Sequence, residues 1–184
     1  MLRRRGFMRP MRRAFRGEIP PALQRANALM AKGDYPAAAA AFETLASGAE
    51  TRLSPRAPSL FLEAGRARML AGQMEVGLGH LKRGLSLLAT TGRSRQVFRI
   101  GQGIVSELQT RGLSKEAQEI SDYVKTGISS LPQGMNEPFK EGHHPSLPTR
   151  CPGCGGPVRP DEVEWLDDAT AECSYCGSSL RGEK

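Results

Sequence analysis

"ALMAKGDYPAAAAAFETLA" (Ala28–Ala46) reads as one helix ending and another beginning. Gly33 supplies the left-handed residue on which a helix stops, and Pro36 suits the first turn of the helix that follows. The break recurs at Gly72 within "LFLEAGRARMLAGQMEVGLGHLKRGLSLL" (Leu60–Leu88). It recurs again at Gly112 within "VFRIGQGIVSELQTRGLSKEAQEISDYV" (Val97–Val124), where Ser114 is placed to cap the next helix. The three glycines are 39 and 40 residues apart, so each window reads as a hairpin of two helices, about 12–17 residues each. Aromatic residues are scarce and Ala, Leu and Gly plentiful, which favours close helix packing over a sheet core.

Small residues at the expected crossings give these hairpins a resemblance to tetratricopeptide repeats. The first carries Ala26, Gly33, Tyr35, Ala38 and Phe42, the second Gly65, Gly72, Met74, Gly77 and Leu81, and the third Gly112 and Ala117. Helices approach closely only where side chains are short. The interval is longer than that family's usual 34 residues, and no hairpin opens with the family's Trp. An irregular six-helix bundle with similar turns is the alternative, and both predict an all-α body over residues 20–130. The resemblance implies a concave groove lined by the first helix of each hairpin. Asn27, Met30, Arg66, Met69, Arg99, Gln102 and Gln109 are then the implied contacts to a protein or peptide partner. Glu63 on the same face would repel a terminal carboxylate.

Residues 131–149, "LPQGMNEPFKEGHHPSLPT", have four prolines and no periodicity and read as a linker. Beyond them lie all the cysteines: Cys151-x2-Cys154, eighteen intervening residues, then Cys173-x2-Cys176. A Cys-x2-Cys turn points two sulfurs at one spot, and two such turns complete a tetrahedral four-sulfur site. Gly155 and Gly177 follow the second cysteine of each pair, where the backbone must curl back toward the sulfurs. Between the pairs, "EVEWLDDATAEC" reads as strand, acidic turn and strand. Residues 150–181 resemble a zinc ribbon of the CPxCG…CxYCG kind, which implies one structural Zn2+. A rubredoxin-like iron site uses the same thiolates and is the less favoured metal. A thioredoxin-like centre needs only one pair and a βαβ setting. His143 and His144 lie near enough to compete as ligands, but read as solvated residues of the linker. About thirty residues bury too little apolar surface to fold unaided, so metal removal is expected to unfold this module and spare the helices.

The net charge of +7 is local. Arg3, Arg4, Arg5, Arg9, Arg12, Arg13 and Arg16 supply it from residues 1–17 of a basic arm spanning 1–19, and beyond residue 17 the chain is balanced. This arm suits a nucleic acid, a ribosome or another anionic surface, or lies solvated and disordered. The cysteine module, with seven acids against four bases from Arg150 onward, is the wrong sign for phosphate. The arm lacks the apolar core of a secretory signal, although an arginine-rich start is also found in organellar transit peptides. No run is long enough to cross a membrane. The expected compartment is the reducing cytoplasm, where disulfides are rare. No nucleophile elbow, HExxH or phosphate-loop motif occurs, and "GQGIVS" (Gly101–Ser106) lacks a dinucleotide loop's third glycine. The expectation is a mainly α, non-enzymatic adaptor with a small C-terminal β module. The alternative is an RNA- or ribosome-associated protein working through the arm.

Overall fold

The computed structural model describes residues 19–90, 94–129 and 145–182. The arginine arm, His143 and His144 lie outside the described residues. Six helices follow in order: α1 (Pro21–Lys32), α2 (Tyr35–Thr51), α3 (Ala57–Leu70), α4 (Met74–Thr90), α5 (Ser94–Thr110) and α6 (Ser114–Ser129). Three short strands, β1 (Glu164–Trp165), β2 (Thr170–Glu172) and β3 (Ser179–Arg181), form an antiparallel sheet in sequence order. The protein is mainly helical with a small C-terminal sheet, as the sequence predicts.

The three hairpin turns are built alike. Gly33, Gly72 and Gly112 have φ of 79°, 79° and 76°. Each amide bonds the carbonyl three residues back, and the next residue bonds the carbonyl five back, as in Asp34 to Leu29, Gln73 to Arg68 and Leu113 to Leu108. That pair of bonds is the Schellman closure, which satisfies the last helical carbonyls. Asp34 also accepts from the Ala37 amide at 3.3 Å to cap α2.

The end of α2 uses the same closure without a glycine: Leu53, at φ 51°, occupies the left-handed position. Its amide bonds Glu50 and that of Ser54 bonds Ala49. Ser54-Pro55 and Pro58 announce a break here, but no glycine marks the residue that bends, which is an exposed leucine.

Helices α3 and α4 cross where both are bare. A Cβ on Gly65 would lie 2.8 Å from the Gly77 carbonyl oxygen, and one on Gly77 would strike Met69. Two apolar clusters result. The first joins Leu23, Ala26, Ala38, Ala39, Phe42, Ala46, Leu60 and Ala64 of α1–α3 to Val163, Ala171, Tyr175, Leu180 and the four cysteines. The second joins Leu62 and Met69 of α3 to Leu81, Leu85, Ile100, Ile104, Ile120 and Val124 of α4–α6. Helix α3 belongs to both, and its side chains are buried almost all round. The C-terminal module is therefore packed into the helical body, sharing its first core.

Candidate metal centre

Each cysteine pair sits on a short knuckle made by its own backbone. The Gly155 amide bonds the Cys151 carbonyl and the Gly177 amide bonds the Cys173 carbonyl, both at 2.9 Å. Both glycines have positive φ, 72° and 73°, which a side chain would strain. The reverse bonds, from the Cys151 amide to Gly156 and from the Cys173 amide to Ser178, close each loop at 2.8 and 2.9 Å. The first knuckle is braced by a bridge between Arg150 and Pro157. The second runs from β2 into β3, whose register pairs Ala171 with Leu180. The acidic turn before β2 is held by Asp167, which accepts from the Ala169 amide at 2.8 Å.

The knuckles face each other. All four sulfurs are buried and lie within 4.8 Å of one another. Cys151 and Cys176 are 3.6 Å apart, and Cys154 and Cys173 are 3.9 Å apart. A tetrahedral ion with metal–sulfur bonds of about 2.3 Å requires sulfurs about 3.8 Å apart. The donor set thus fits one four-coordinate ion, and the thiols are free of disulfides.

Four thiolates cannot share this space without a cation. Hydrogen bonds from Cys154 and Cys173 hold Cys176 far below the usual thiol value. Hydrogen bonds to Cys173 and Cys176, together with burial, push Cys154 far above it. Cys173 is lowered by its bond to Cys154, but Cys176 and burial outweigh this and raise it to about 12. A doubly charged ion would remove this conflict by stabilising all four as thiolates. Ser178 Oγ, 3.1 Å from Cys176 Sγ, is placed to bond that sulfur.

Behind the sulfurs lies a buried ionic cluster. Arg66 on α3 bonds Glu63 at 2.8 Å, Glu107 at 3.0 Å, and Glu162 of the module. Arg159 of the module reaches back to Glu63 at 2.5 Å and to the Tyr175 hydroxyl at 2.9 Å. That hydroxyl lies 3.0 Å from Glu63 and 3.2 Å from Glu162, with one proton to donate between them. Burial pushes the Glu63 carboxyl up, but Arg159 and Arg66 together hold it below the ordinary carboxylate value. Burial lowers Arg66, yet Glu162 and Glu63 leave it well above its usual value. Burial, reinforced by Glu162 and Glu63, raises Tyr175 well above an ordinary phenol. The second oxygen of Glu63 and the amide oxygen of Asn27 have no hydrogen-bond partner among the described residues.

Several residues expected to line a groove touch the protein's own C-terminal module. Asn27 donates to the Cys154 carbonyl at 2.8 Å, Arg66 pairs with Glu162, and Arg99 donates to the Val163 carbonyl at 3.3 Å. Met30 is partly buried against the first cluster and Met69 is buried in the second. Gln102 and Gln109 are exposed. Sequence reading missed the roles of Arg159, Glu162 and Tyr175. The signal was a matched pair of spacings: Glu63-x2-Arg66 and Arg159-x2-Glu162 carry opposite signs in opposite order, so each charge meets its complement. Comparison of the chain with family models, with curated proteins and with solved structures finds no match.

Proposed function

We propose that this is a non-enzymatic adaptor whose C-terminal module is a zinc ribbon built around one structural Zn2+. The observation that carries the reading is the closed shell of Cys151, Cys154, Cys173 and Cys176, buried and tetrahedrally spaced. Catalytic zinc keeps a coordination position for water, and four cysteines leave none. All-thiolate tetrahedral sites suit zinc and also iron. Elemental analysis of purified protein separates the two: one zinc per chain is expected, and a red protein with stoichiometric iron would replace the zinc reading with an electron carrier.

The helical hairpins supply the adaptor surface, in the manner of tetratricopeptide-like arrays, and the interface with the ribbon makes body and ribbon one recognition unit. Partner capture by the intact chain, lost in Cys151→Ser/Cys154→Ser, is the supporting result. Capture unchanged by that double substitution would separate partner binding from the metal. The arginine-rich, acid-free segment at residues 1–17 favours a second reading, RNA or ribosome binding. Binding through the arm would be steeply salt-dependent and lost on deleting residues 1–17. Binding that survives both conditions belongs to the body or the ribbon.

A further inference from the structure

We infer that the cysteine module is a metal-held cover over α1, α3 and α5, and that loss of the metal uncovers Glu63 and Arg66 while the helices stay folded. This rests on the metal-site reading above. Three features carry it.

The cover depends on its ion for shape. Its sheet has strands of only two and three residues, and beside the four cysteines its buried hydrophobic side chains among the described residues are Val163, Ala171, Tyr175 and Leu180. Without the ion those sulfurs no longer converge, and Arg159 and Glu162 are left near Tyr175 by their own hydrogen bonds with its hydroxyl and by that of Ser174 to the Glu162 carbonyl.

The helices keep packing of their own besides the first core that they share with the module. Ala26, Ala38, Ala39, Phe42, Ala46 and Ala64 are fully buried and lie on α1–α3, which also pack directly on one another. Through Leu62, Met69 and the Gly65–Gly77 crossing, α3 is anchored to the second cluster, which contains no residue of the module.

The seam between cover and helices combines the shared apolar cluster with buried ion pairs. Arg66–Glu162 and Arg159–Glu63 cross it, and Glu63 is left with one oxygen unmatched among the described residues. Desolvation largely offsets the attraction within a buried ion pair, and an unmatched buried oxygen adds a further penalty. Separating the two sides returns every one of these charges to water. The ionic part of the seam therefore adds little to its closure, which is left to the shared apolar packing and to the ion's hold on the module's shape.

Glu63, fully buried in the closed state, is the reporter. The full chain is treated with a carbodiimide and glycine ethyl ester before and after zinc chelation, and carboxyl labelling is mapped by mass spectrometry against exposed Glu75. Glu63 labelling should rise on the order of tenfold after chelation, with helical circular dichroism retained. Glu162→Arg, which sets a guanidinium opposite Arg66 but leaves the cysteines untouched, should label Glu63 with zinc still bound. Continued protection of Glu63 after chelation, or loss of helicity with it, overturns the inference. Absence of stoichiometric metal before chelation removes the metal-site reading together with the cover. Bound metal with unchanged labelling sinks the cover alone.

Discussion

Arg66 sets the balance of charge in the buried cluster, because three carboxylates from different parts of the chain converge on its one guanidinium. Arg66→Ala leaves Glu162 and Glu63 buried with half their compensation. Removing one member of a buried pair typically costs about 3–5 kcal/mol, so denaturant unfolding of this variant should show a loss of that size. Replacing Arg66, Glu63 and Glu162 together by apolar residues of similar volume should recover most of it. The partly exposed Glu43 tests pH dependence. Hydrogen bonding to Arg68, more than offsetting burial, holds its carboxyl below 4.5. The stability this contributes is fully present above that unfolded value and lost as pH falls through the lower folded one. Thermal denaturation of Glu43→Gln should therefore trail the parent above pH 4.5, and the gap should close in more acidic buffer. A gap independent of pH would contradict the assignment. The cysteine spacing makes the candidate ligand set readable from sequence. The ionic cluster is hidden because Glu63 and Arg66, three residues apart on a helix, look the same whether they face water or a partner.

At the scale of elements, the hairpins follow local rules and were readable for that reason. A glycine that must be left-handed leaves its mark in any sequence, and three of the turns carry one. The α2–α3 turn carries none, since Leu53 is driven left-handed by the chain around it. The α3–α4 crossing allows a sharper test. Gly77→Ala puts a methyl against Met69 and near the Gly65 carbonyl. Overpacking of this kind costs about 1–3 kcal/mol, and a matching fall in the urea midpoint is expected. Gly79→Ala, on the same helix with nothing near the added carbon, should instead raise the midpoint by about 0.5–1 kcal/mol equivalent, from helix propensity.

For the whole molecule, the surprise relative to sequence is that the C-terminal module is not a separate bead. Composition shows a proline-rich break before it, and from that a tethered unit follows naturally. Contacts across 96 residues of sequence, such as Arg159 to Glu63, leave no local trace. The consequence for metal removal is concrete. Trp165, the one tryptophan of the chain, packs against the first cluster. Chelation should therefore shift its emission to longer wavelength and lower the melting temperature of α1–α3. Both effects should reverse on adding zinc back. An emission spectrum and melting curve indifferent to full chelation would show that the ion does not support this core.

The shared first core also has a bearing on how the polypeptide is made. A ribosome delivers α1–α3 early with Glu63 and Arg66 paired to each other, but their partners from the module, Arg159 and Glu162, arrive 96 residues later. For that interval the nascent N-terminal half displays a half-matched pair of charges, the mark of an unfinished fold. A chain cut short before Cys173 would display that mark permanently.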